Sequence, residues 1–177
     1  MTVLFHFSEN PSIEVFAPRV APTSNEAEPL VWALDEAHAP SYWFPRACPR
    51  ACCWTAEEQL LHRESALLGL GRARRMHAIE ACWLDRFRDC KLFAYQFDSS
   101  LFELKLADAG YWVARQAVCP LSVTAVGDLF AAHVKAKIEF RIVPNLWPLI
   151  DAIVDSGLEF SIIRKANAQP RRSERST

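Results

Sequence analysis

The feature that most constrains the fold is a series of short strand-like segments, interrupted irregularly by helical ones. TVLFHF, LVWAL, MHAIEA, KLFAYQF, YWVARQAV, IEFRIV and LEFSII are short and rich in aromatic or β-branched residues, as strands are. A further short strand is expected after Pro120, leading into a helix. TAEEQLLHRESALLG, VGDLFAAHVKA and NLWPLIDAIVDSG read as helices. In the first of these, Thr55 and Glu58 have the spacing of a capping box, and Leu60, Leu61, Leu67 and Leu68 form an apolar stripe. Gly157 is placed to end the last helix. A shorter helix is expected after Asp35, with Pro40 in its first turn. Strands and helices do not alternate strictly, which favours an α+β fold over a doubly wound parallel sheet.

A chain of 177 residues, 51% hydrophobic and 23% charged, suffices for one domain with a full core. That domain is expected over residues 1–168, followed by a polar tail at 169–177. APTSNEAEP reads as a polar loop. The net charge of -1 argues against a general nucleic-acid binder, which needs a basic face to displace counterions. It leaves room for a small basic pocket. The N-terminus has no basic and then apolar leader, and no apolar run reaches about 18 residues. The expected location is therefore cytoplasmic, with no membrane contact.

The six cysteines read as buried free thiols. Cys48, Cys52 and Cys53 lack a second ligand pair at finger spacing; a site completed by His62 or His77 is the alternative, and no metal is assigned. Five glycines leave no room for a glycine-rich phosphate loop. No Ser-His-Asp order, Walker loop or Rossmann pattern is present.

Side chains alternate along a strand. In the first strand, expected over residues 3–7, Val3, Phe5 and Phe7 share the face that reads as core. Leu4, His6 and Ser8 share the other, where the chain breaks at Asn10-Pro11. His6 and Ser8 either find partners within the fold or face a ligand. Trp32, Tyr42, Trp43 and Phe44, in LVWALDEAHAPSYWF, are either a core cluster or the faces that hold a flat ring. Arg46 and Arg50 flank the turn that follows, where a guanidinium either holds a phosphate with two parallel bonds or belongs to a solvated loop. Glu80 is expected to pair with a basic neighbour; Glu139 and Arg141, two residues apart on one strand face, are expected to form an ion pair or to face solvent. Arg164 and Asn167 end the final strand.

Three of these segments together resemble the ADP-ribosyltransferase fold, in the branch of diphtheria toxin and the poly-ADP-ribose polymerases. That fold binds NAD in a cleft between two small sheets. His6-Phe7-Ser8 resembles its first motif, whose histidine and hydroxyl hold the adenosine ribose, with Phe7 in place of a glycine. Trp32 stands where the second motif has a strand tyrosine. Ala39-Pro40-Ser41-Tyr42 resembles the helix whose tyrosine stacks on nicotinamide. Ala109-Gly110-Tyr111-Trp112-Val113 resembles the third motif, with Gly110 where the catalytic glutamate stands; Glu103 or Asp108 is a nearby carboxylate. LFHFSENPSIEVFAPR, VWALDEAHAPSYWFPR and FRIVPNLWPL are in addition similar to a bacterial family known only as a domain of unknown function, over nearly the whole chain.

The resemblance implies a site for NAD or a related nucleotide, with His6 and Ser8 on ribose, Trp32 and Tyr42 against the rings and Arg46 on phosphate. Three functions remain open: a transferase-like enzyme, a binding module without turnover, and a partner-binding domain whose aromatics are core.

Overall fold

The computed structural model describes residues 3–20, 27–69 and 73–171, without the side chain of Leu61. Residues 21–26 of the expected polar loop and 172–177 of the expected tail lie outside it. The fold is α+β, with two sheets and few helices. Contacts group the chain into two compact units, one of Met1–Phe44 and Lys91–Gly127, the other of Pro45–Cys90 and Asp128–Thr177.

The first unit holds strands β1 (Val3–Ser8), β2 (Val31–Leu34), β5 (Phe93–Asp98), β6 (Glu103–Leu106), β7 (Tyr111–Ala114) and β8 (Ser122–Ala125). They form one antiparallel sheet in the order β6-β7-β2-β1-β5-β8. Its core consists of Leu4, Phe16, Val31, Ala33, Tyr95, Phe97, Phe102, Ala114 and Val118. This corrects the face assigned to β1: the core side is that of Leu4, His6 and Ser8, while Val3 is exposed and Phe5 and Phe7 are half-buried. Cross-strand register explains the reversal, because Leu4 pairs with Phe97 and His6 with Tyr95.

The break at Asn10-Pro11 also has a local cause. The Tyr95 hydroxyl donates to the Asn10 carbonyl at 2.6 Å and accepts from the Ile13 amide at 3.1 Å. The Ser8 hydroxyl accepts from the Asn10 amide and the Asn10 side chain from the Ser12 amide. Two local turns and one phenol thus satisfy the backbone where the strand stops.

The second unit holds strands β3 (Arg50–Trp54), β4 (Arg75–Glu80), β9 (Glu139–Val143) and β10 (Glu159–Ile163), in the order β10-β3-β4-β9. β4 and β9 run parallel; the other pairs are antiparallel. Its helices are α1 (Glu58–Arg63), α2 (Ser65–Leu68), α3 (Leu84–Asp89), α4 (Leu129–Lys135) and α5 (Trp147–Val154). Ala51, Cys53, Met76 and Ala78 on one sheet face pack with Leu67, Leu68, Leu146, Ile150, Ile153 and Leu158. The opposite face carries His77 and Phe140, which meet Phe87 of α3 and His133 of α4.

Several local expectations are corrected. The first long helix is two short ones, and Thr55 accepts from the Glu57 amide rather than capping at Glu58. Gly157 is not a left-handed terminator; α5 has already ended at Val154. The helix after Asp35 is a single 3-10 turn, Ala39–Tyr42. β3, β6 and α3 were not expected. The Glu139–Arg141 pair is present, at 2.7 Å.

Glu80 differs most from expectation. It is fully buried, and its carboxylate accepts from backbone amides, not from a cation: Leu146 at 3.1 Å and Gln169 at 2.9 Å. The chain after Ala168 is held further. Trp147 Nε1 donates to the Gln169 carbonyl, Asn145 to that of Pro170, and Arg171 forks onto Asp151 at 2.7 and 2.8 Å.

Candidate functional site

The polar groups of the first unit converge at the end of β2. Asp35 follows that strand directly, and its amide donates to the Gly110 carbonyl at 3.1 Å. Its carboxylate Oδ1 accepts from the His38 amide at 2.9 Å and from His38 Nδ1 at 2.7 Å. A carboxylate only accepts here, so Nδ1 carries the ring proton in this contact. Both side chains retain partial exposure, 15% for His38 and 26% for Asp35.

Gly110 makes this arrangement possible. It ends the 3-10 turn Ala107–Ala109 in the left-handed region, φ 63°. A Cβ there would overlap the His38 ring and lie 2.7 Å from Asp35 Oδ2. Gly110 is thus a turn residue against which a histidine and a carboxylate are seated. Gly110→Ala should cost about 2 kcal/mol or more from backbone strain and displacement of His38, read as a lowered urea midpoint; a variant as stable as wild type would mean that the ring moves aside freely.

The aromatic part adjoins it. Tyr111, the next residue, meets Trp32 edge-on at 5.7 Å and Tyr42 at 6.5 Å between ring centres. The Tyr42 and Tyr111 hydroxyls are 2.8 Å apart. Trp32, Leu34, Tyr111 and Val113 share the sheet face of Phe5 and Phe7, because Trp32 pairs with Val113, and Leu34 with both Tyr111 and Phe5.

The residues expected to form one pocket are therefore divided. Trp32 and Tyr42 are brought together through Tyr111. His6 and Ser8 lie on the core face of β1. The His6 ring packs edge-on against Phe16 at 5.0 Å, and its Nδ1 is 2.9 Å from the Trp32 carbonyl. Arg46 is exposed and belongs to the second unit. Arg50 is 3% exposed and donates to the Cys48 carbonyl, which corrects its reading as a phosphate ligand. Of the two carboxylates considered near Gly110, Glu103 pairs with Arg115, and Asp108 is exposed within the 3-10 turn. Asp35 and His38 were not singled out from the sequence, although Asp-x-x-His at the end of a strand was a legible signal.

The cysteines offer little chemistry. Burial pushes the Cys48 and Cys53 thiols up to about 12, so neither is a ready thiolate nucleophile. Cys82 and Cys119 are exposed, contrary to the expectation of buried thiols. Among the described residues, no group of three His, Cys, Asp or Glu is arranged to hold a metal, and no helix is long and apolar enough to cross a membrane.

No curated protein and no solved structure matches this chain. Residues 5–168, nearly the whole sequence, match a family of unknown function (DUF6886), and the chain belongs to that family.

Proposed function

We propose that the first unit carries a site for NAD or a related nucleotide, at which Asp35 and His38 act on the bond to be broken. The observation that supports this is the seating of Asp35 and His38 in the space above Gly110. In the fold that the sequence resembles, the catalytic glutamate stands at the position of Gly110. Here Asp35 places a carboxylate at that point from a neighbouring loop.

In this reading the rings of Tyr42, Tyr111 and Trp32 hold the flat base. Asp35 Oδ1 is engaged with His38, while Oδ2 makes no hydrogen bond among the described residues and is the oxygen that faces developing positive charge. When the nicotinamide–ribose bond breaks, its electron pair leaves with nicotinamide and the ribose C1′ becomes cationic. An acceptor hydroxyl or water then forms the new C1′–O bond and releases its proton to His38 Nε2. His6 acts at a distance, its ring 2.9 Å from the backbone that carries Trp32.

The test is thermal shift with NAD, ADP-ribose and nucleoside phosphates, followed by nicotinamide release. Tyr42→Ala should weaken NAD binding about five- to thirty-fold, the worth of a ring contact or one hydrogen bond. Asp35→Asn should reduce nicotinamide release about 10²-fold or more while leaving binding nearly intact. Absence of any shift with these ligands removes the nucleotide reading. Binding without release leaves a binding module.

A further inference from the structure

At one end of the second unit's sheet, three loops meet. Ile163 pairs with Arg50, and Arg50 with Ile79. The chain before β3, the chain after β4 and the chain after β10 therefore lie at the same end. Two contacts tie them: Asn167 Nδ2 donates to the Ala47 carbonyl at 2.7 Å, and Gln169 Nε2 lies 3.5 Å from Cys82 Sγ. These segments carry Arg46, Arg86 of α3, Arg164 and Lys165. The charge of Arg86 is felt at the Cys48 thiol, two residues from Arg46.

The carboxylates at this end are committed elsewhere. Asp85 and Asp89 pair with Arg88, Asp151 pairs with Arg171, and Glu80 is buried on two amides. Among the described residues, Arg86, Arg164 and Lys165 form no ion pair; Arg86 only stands 5.5 Å over the Trp83 ring. The chain as a whole has net charge -1, so three cations that form no ion pair among the described residues, Arg86, Arg164 and Lys165, mark this end. Arg164 adds a second, independent sign. It adopts φ 57°, ψ 28°, a left-handed conformation in which glycine is the ordinary residue. Strained backbone of this kind clusters at ligand clamps and active sites; Lys137, at φ 56°, is the other non-glycine example among the described residues.

We infer that Arg46, Arg86, Arg164 and Lys165 form a binding site for a phosphoryl group, held between the loop of Ala47 and the turn of Asn167. Guanidinium forks suit phosphate oxygens, and Lys165 adds a point charge. The inference does not depend on Asp35 or His38.

Isothermal titration of inorganic pyrophosphate into the full chain, in phosphate-free buffer at low salt, tests it. Saturable binding in the millimolar range or tighter is expected, weakening as salt rises. Arg164→Gly is the decisive variant, because it relieves the backbone while removing the cation. It should weaken binding about tenfold or more and leave the thermal midpoint equal or higher. Lys165→Ala should weaken binding too, and Arg19→Ala, an exposed cation of the first unit, should not. A parallel titration with ADP identifies the source: equal affinity means that the phosphoryl groups alone are read, and tighter ADP binding that Arg164→Gly also abolishes means a nucleotide. No saturation by about 10 mM pyrophosphate, unchanged binding by Arg164→Gly, or equal weakening by Arg19→Ala would overturn the assignment, as would ADP binding without any for pyrophosphate.

Discussion

Glu80→Ala is expected to lower the stability of the protein by about 3 kcal/mol, because one buried carboxylate satisfies two distant backbone amides. Removing it leaves the Leu146 amide, in a residue with no solvent exposure, without its acceptor. It also frees the Gln169 amide and with it the strap that runs to Arg171. An orphaned buried donor costs about 1 to 3 kcal/mol, and the cavity adds to that. For a chain of this length the melting midpoint should fall by about 6 to 12 °C. Glu80→Gln retains one acceptor oxygen but turns an NH₂ toward an amide donor, and should lie between the two. Thermal unfolding by circular dichroism, with hydrogen exchange at Leu146, reads the effect. A midpoint within about 2 °C of wild type would mean that both amides find other acceptors.

Glu80 also shows where a sequence stops being legible. Its partners lie 66 and 89 residues away and are amides, which leave no mark in composition; a buried glutamate in MHAIEACW invites a search for a cation instead. Strands with aromatic and β-branched residues were readable, since their propensity and their burial agree. β3 was not, because RACCW holds no β-branched residue, and its place is fixed by pairing with β4 and β10, which come later in the chain. The β1 face was misjudged for a related reason. Three apolar residues outweigh Leu4, His6 and Ser8 on any hydrophobicity count, yet β5 offers Tyr95 and Phe97 to the second set.

The candidate site was half legible. The aromatics Trp32 and Tyr42 and the position of Gly110 were visible as residues, but not the meaning of the glycine. In the sequence it is a missing carboxylate. In the fold it is a missing side chain, whose absence admits Asp35 and His38. Loops bring these groups together, and loops carry the least periodic signal.

Acid should destabilise the second unit through a buried pair of histidines. His77 and His133 are fully buried, with His77 Nδ1 3.0 Å from His133 Nε2 and His133 Nδ1 2.7 Å from the Leu129 carbonyl. The carbonyl can only accept, so His133 Nδ1 bears the proton, Nε2 accepts, and His77 Nδ1 donates to it. Both of these contacts are made with both rings neutral. Burial lowers His133 from 6.5 to about 4. It also lowers His77 well below its ordinary value, with further depression from His133, Arg75 and Arg50. A depressed folded value means that the unfolded chain binds more protons, so stability present above pH 6.5 is lost as pH falls toward 4. His133 alone accounts for about 3 kcal/mol across that window, and His77 adds to it in the same direction. The double variant His77→Phe/His133→Phe removes donor and acceptor together, and its new rings join Phe87 and Phe140, so it should remain folded at pH 8. Urea midpoints measured from pH 8 to pH 4 should fall steeply for wild type and clearly less for the double variant, the difference opening below pH 6.5. Parallel curves for the two proteins would show that the histidine pair is not what acid breaks, and that carboxylates alone carry the loss.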